Sequence, residues 1–227
     1  MTEQQKQAIF DCGKEYFRRT IIPNHKSKFE SLGLNDFKID FSIIKFLTAS
    51  HCKTTETQDL LAKALIYPKV IETSINTCFE QNSQSFISQL LQVIGEPSGI
   101  NGIDFEYVDA IDGRRKYCLC KSIIDAEKDL DEILCDCKKA MLAIDDKDWK
   151  NAIDDIVVVV PFGKKEELSE AYKIVATTYT VLCGAEFWEH LTGYSDFYNR
   201  MLAGFCMVLD EEQICRDLVE EVIENLK

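Results

Sequence analysis

Asp104, Glu106 and Lys121 are the residues whose types and spacing suit phosphate chemistry. They lie in residues 102 to 122, a stretch that reads as a β-hairpin. Residues 103 to 110 are apolar and aromatic with interleaved acids, Asp112-Gly113 is a turn dipeptide, and residues 116 to 121 form the return arm. Glycine takes positive φ without steric cost, so it suits the turn. Side chains alternate across a strand, so Asp104 and Glu106 are expected on one face of the first arm. Tyr117, Leu119 and Lys121 share a face of the second. If pairing brings Asp104 near Lys121, a carboxylate and an ammonium meet at one end of a small sheet. That is the chemistry of a metal-dependent phosphodiesterase. A carboxylate and a backbone carbonyl hold Mg²⁺, and the lysine orients or deprotonates the attacking water. The plainer reading is a hairpin with a solvated charged face. Arg114, Arg115 and Lys116 at the turn either reach phosphates and base edges or form a solvated turn.

The elements that must position these residues are mostly helical. Residues 2 to 20 read as an amphipathic helix ended by Pro23-Asn24, with a short helix over 26 to 33 stopped by Gly33. Residues 41 to 49 read as a buried helix. A further helix follows the capping signal at Thr54–Thr57 and is kinked or broken by Pro68. Residues 76 to 94 read as a helix, and Gly95 to Gly102 as a loop. After the hairpin, residues 125 to 143 form a charged helix, acidic first and basic last, which complements its dipole. Ile153 to Val160 is a continuous apolar run, the pattern of a central strand buried on both faces. Residues 164 to 175 read as a helix and 177 to 183 as a strand. The Glu186–Gly193 segment leads to terminal helices over 194 to 208 and 210 to 226. Strands alternating with helices imply a mixed sheet with helices on both sides.

At 227 residues, 46% hydrophobic and with 4 Pro, the chain suits a packed domain, not a disordered one. No apolar run reaches the roughly 18 residues of a membrane span, and Met1 to Lys6 lacks the apolar core of a signal peptide. A cytoplasmic protein with no membrane partner is expected. Its 10 cysteines then serve as small reduced core residues, because neither Cys118-x-Cys120 nor Cys135-x-Cys137 has the spacing of a zinc site. The 3 histidines, His25, His51 and His190, are scattered, and His190 is expected to pack beside Trp188. A net charge of −13 argues against a DNA-coating protein, but it leaves room for an enzyme that grips phosphate with a few placed cations.

A strand-borne Asp, a turn, and a second strand ending in acid-x-Lys is the pattern of the PD-(D/E)XK nucleases; here Leu119 stands at the acid position. Several stretches extend the likeness: Thr77-Cys-Phe-Glu, Gln84-Ser-Phe, Gly102-Ile-Asp-Phe-Glu, Lys116-Tyr-Cys-Leu-Cys-Lys, Asp154-Asp-Ile-Val-Val-Val-Val and Glu186-Phe-Trp-Glu-His-Leu-Thr-Gly-Tyr-Ser-Asp-Phe-Tyr. Together they resemble a PmeII-like family of type II restriction endonucleases, from about residue 37 to the C-terminus. The resemblance implies a PD-(D/E)XK core and Mg²⁺-dependent cleavage of double-stranded DNA at a short site, by a homodimer. It assigns the metal-binding carboxylate to Asp104, the lysine to Lys121, a metal-contacting carbonyl to Cys120 and a helix-borne polar group to Gln84. The chain departs from the family at Leu119, at Glu80, where Gly is commoner, and after Lys121. Either Glu80 supplies the missing carboxylate or the site is degenerate.

The expected fold is therefore α/β, restriction-endonuclease-like. A mixed sheet is flanked by helices, with a helical part over residues 1–75 and a nuclease-like core over 76–227 in one compact domain. The expected function is type II site-specific deoxyribonuclease. The alternative is a catalytically inactive nuclease-fold module that binds DNA or a protein partner; an inhibitor that exploits the acidic surface is a weaker third.

Overall fold

The computed structural model describes residues 1–30, 83–94, 98–121, 130–144 and 153–212. The helices expected over 41 to 49 and after Thr54, with Pro68, lie outside the described residues. The chain divides into two compact units, Met1–Tyr16 with Glu80–Cys206, and Phe17–Phe79 with Met207–Lys227.

The first unit is built on a four-stranded sheet in the order β1-β2-β3-β4, with β1 Phe105–Val108, β2 Arg115–Cys120, β3 Ile156–Val160 and β4 Thr180–Cys183. β1 and β2 are antiparallel and pair Phe105 with Cys118 and Val108 with Arg115. The remaining pairs are parallel. Around the sheet run α1 (Glu3–Tyr16), α3 (Ser83–Ile94), α4 (Leu130–Ala143), α5 (Glu170–Val175), α6 (Ala185–Thr192) and residues 197–206 of α7 (Phe197–Glu212). The architecture is α/β, a mixed sheet flanked by helices with a helical N-terminal part. The described residues of the second unit include a π-helical turn, Phe17–Ile21, and α2, Ile22–Glu30.

Several boundaries differ from expectation. Pro23 does not end a helix; it sits in the first turn of α2, where a missing N–H leaves nothing unsatisfied. The helix expected over 164 to 175 divides into a 3₁₀ turn, Lys165–Glu167, and the short α5. No break occurs at 209, because α7 continues to Glu212.

Each face of the sheet has its own core. On one face Leu119, Val158, Val160 and Val181 pack with Ile133, Cys137 and Ala140 of α4 and Tyr172 of α5. The stripe 133, 137, 140 repeats at helical spacing, which is why α4 lies flat on the strands. Aromatic rings meet elsewhere around β1. Phe105 and Tyr107 lie 6.2 and 6.4 Å from Phe187, and Trp188 stacks at 5.7 Å on Phe197. Trp188 Nε1 donates to the Pro161 carbonyl at 2.8 Å. All five β3 residues are buried, as their unbroken apolar run requires. Gly184, with φ +48°, admits no side chain, because a Cβ there would collide with the Gly163 carbonyl oxygen.

His190 does not serve the aromatic core alone. Its Nδ1 lies 2.7 Å from Asp109 Oδ2, and the Ala110 N–H donates to the His190 carbonyl at 2.7 Å. Asp109 is 2% exposed, and its Oδ1 accepts the Ile111 N–H. These bonds fasten α6 to the end of β1. His190→Ala leaves a buried carboxylate with one partner fewer. Leaving a buried acceptor short of a hydrogen bond costs about 1–3 kcal/mol. Because water reaches the half-buried imidazole, the lower figure applies, a fall of about 2–4 °C in Tm by circular dichroism. An unchanged melt would show that the contact stabilises nothing.

Candidate active site at the β1–β2 edge

Asp104 precedes β1. Its N–H donates to the Cys118 carbonyl at 2.9 Å, and Phe105 stands opposite Cys118. Burial alternates from Ile103 to Val108, with Asp104 exposed and Glu106 half-buried between buried neighbours, so the two acids keep the one face expected of them. Glu106 keeps its ladder place opposite Tyr117 and bonds Ser98 Oγ at 2.6 Å. The Asp104 carboxylate lies along the edge of β2, and its Oδ2 accepts the Cys120 N–H at 2.6 Å. A strand residue presents its N–H and C=O to the same side. The Cys120 carbonyl thus shares the edge that carries Asp104.

Lys121 follows directly, and its N–H continues the ladder to the Val159 carbonyl. Its Nζ is held not by Asp104 but by Asp136 of α4, at 2.8 Å from Oδ2. Asp136 Oδ1 also receives Lys139 Nζ at 3.4 Å. Desolvation raises the Asp104 carboxyl, and the Cys120 N–H and the Lys121 charge pull it back only in part. Desolvation pulls the Lys121 amine down, but the bond and charge of Asp136, then the charge of Asp104, leave it raised. The bond to Lys121 holds the Asp136 carboxyl below its usual range. Desolvation pushes the Cys120 thiol up to about 12, so it stays protonated at neutral pH. The cluster is a lysine between two carboxylates of opposite tendency, with a backbone carbonyl beside it.

Leu119 is buried at 3% exposure inside the α4-facing core. The position that would carry an acid in acid-x-Lys is filled with hydrocarbon because α4 covers it. Gln84 lies in the first turn of α3, and Glu80 is outside the described residues. Among the described residues no three His, Cys, Asp or Glu side chains form a group able to hold a metal ion. Mg²⁺ does not require one, since it is commonly bound by one or two carboxylates completed by waters and substrate phosphate. Asp104 with the Cys120 carbonyl fits that demand.

The turn cations divide. Lys116 does not project from the hairpin; it is 5% exposed and bonds Asp112 Oδ2 at 2.7 Å and Asp155 Oδ1 at 3.0 Å. Arg114 reaches the same Asp155 at 2.6 Å. Arg115 is exposed and bonds Glu106 at 3.2 Å. Of the three, Arg115 is the one placed to meet an approaching phosphate without breaking a buried pair.

Sequence reasoning passed over Asp136 as one acid in a charged helix. A usable signal was present: Asp136 directly precedes Cys137 and so flanks the apolar stripe of α4, not the middle of its solvated face. No family model matches the chain, and no curated protein matches it significantly. Among the described residues no helix is long and apolar enough to cross a membrane.

Proposed function

We propose that the chain is a metal-dependent DNA endonuclease of the PD-(D/E)XK type, similar to the PmeII-like type II restriction enzymes and acting as a homodimer on double-stranded DNA. The observation that carries this reading is the Asp104 carboxylate turned onto the Cys120 edge of β2, directly beside Lys121. Asp104 and the Cys120 carbonyl would hold Mg²⁺. When bound, the ion polarises the scissile phosphate and lowers the pKa of its water. Lys121, kept cationic by its acidic neighbours, offers an ammonium to a non-bridging phosphate oxygen and orients the nucleophilic water. Arg115 adds an exposed cation at the hairpin turn, where a contact to the DNA backbone positions without reading sequence. With a net charge of −13, DNA binding rests on such placed cations and weakens steeply with salt.

One observation favours a second reading, a module of the same fold that binds DNA or a protein partner without cutting. Leu119 is core, so β2 itself lacks the second carboxylate. Incubation of the purified protein with a phage genome in Mg²⁺ and in Mn²⁺, beside Asp104→Ala, separates the two. Discrete fragments that vanish in the variant support the nuclease. Intact DNA at every protein concentration in both metals refutes it and leaves the binding module.

A further inference from the structure

α4 presses Ile133, Cys137 and Ala140 onto the sheet, and this packing fixes the helix over β2 and β3. Asp136 stands at the margin of that stripe, where its Oδ2 meets Lys121 Nζ at 2.8 Å. A lysine side chain has four rotatable bonds and a strongly hydrated head, so it holds one direction only when a fixed acceptor takes its ammonium. Asp136 is such an acceptor, because its helix is anchored by buried side chains. It also competes with Asp104 for the same ammonium, and the hydrogen bond goes to Asp136.

We propose that Asp136 is the positioning residue of Lys121. This assignment rests on the nuclease reading above. Its physical content is a division of labour. Asp104 stays available for the metal because Asp136 holds the ammonium; without Asp136, Lys121 folds onto Asp104 and neutralises the carboxylate on which the reaction depends. Asp136→Asn should therefore lower kcat with KM unchanged or lower, since the loss falls on the reacting geometry and not on DNA binding. The same substitution removes a negative charge beside the phosphate site, so duplex binding without metal should hold or tighten.

The experiment compares wild type, Asp136→Asn, Asp136→Glu and Lys139→Gln. Cleavage kinetics are measured in Mg²⁺, and binding of a fluorescent DNA duplex is measured by anisotropy in EDTA. The expected result is a fall in kcat of about 30-fold or more for Asp136→Asn, substantial recovery in Asp136→Glu, and a change within about twofold for Lys139→Gln. Metal-free duplex affinity in Asp136→Asn should equal or exceed that of the wild type. Unchanged kcat in Asp136→Asn, with an active wild type, overturns this assignment alone. Parallel loss of kcat and of metal-free binding in Asp136→Asn also overturns it, since that is the mark of a structural residue. A wild type that cuts nothing overturns the nuclease reading, and this assignment with it.

Discussion

Asp104→Asn is expected to abolish cleavage and at the same time to raise the melting temperature at neutral pH. Loss of the metal-holding carboxylate removes transition-state stabilisation on the order of 10³-fold or more in rate. The gain in stability follows from the raised carboxyl of Asp104, whose charged form the fold disfavours by desolvation. A carboxyl with a higher pKa folded than unfolded binds protons preferentially in the native state. Its stability contribution is therefore neutral below the ordinary value of 3.8, and falls as pH rises from there through the raised folded value. Asp104 is exposed, so solvent screens much of this penalty; what remains is present at pH 7, and asparagine removes it while still accepting the Cys120 N–H. Asp136 has the opposite sign. Its carboxyl is lowered chiefly by the bond to Lys121, so it stabilises above 3.8 and loses that contribution as pH falls through the lowered value. Melts of the two Asn variants against wild type should show Asp104→Asn higher and Asp136→Asn lower at pH 7. The Asp104→Asn difference should shrink as pH falls toward 3.8, and the Asp136→Asn difference only as pH falls below 3.8 through its lowered value. An Asp104→Asn variant that still cuts DNA would remove Asp104 from the mechanism.

Leu119→Glu, the substitution that rewrites β2 as acid-x-Lys, is expected to unfold the protein instead of improving the site. Leu119 is closed in by Ile133 and Cys137 of α4 and by Val158 on the neighbouring strand, at 3% exposure. Removing the isobutyl group alone costs about 2–5 kcal/mol in such surroundings. A carboxylate adds a desolvation penalty that no described partner offsets, and it relieves that penalty only by staying protonated. With about 2–4 °C of Tm for each kcal/mol in a domain of this size, a fall well beyond 10 °C or loss of a cooperative melt is expected. Leu119→Met conserves volume and should cost less than about 1.5 kcal/mol. The comparison by circular dichroism is decisive: a Glu variant that melts like wild type would mean that the acid finds water or a cation, and that the position is open to catalysis after all.

These two substitutions bracket what a one-dimensional reading of the hairpin can do. Asp112-Gly113 marks the turn because Gly113, at φ 72°, occupies a conformation that other residues resist. The valine run of β3 announces its burial because a strand covered on both faces cannot afford a polar residue. The alternation of hydrophobic and helical segments likewise implies a mixed sheet between helices. These features depend on neighbours within a turn or two, so they are written into short windows of the chain.

The site is different in kind. The bond from the Cys120 N–H to the Asp104 carboxylate depends on the register of the two arms, which alternation counted along one strand does not give. Lys116 looks like a turn cation until Asp155, just before β3, comes alongside it. His190 looks like a core aromatic neighbour until Asp109 arrives from the hairpin. Lys121 has a natural partner in Asp104 by hairpin logic, yet its ion pair is made with Asp136, because α4 is placed by its apolar stripe and brings the aspartate along. Residue types and short-range periodicity thus specify which elements form and which chemistry the chain can support. Which charges meet is set by long-range packing, since an ion pair is short-ranged and indifferent to the length of chain between its members.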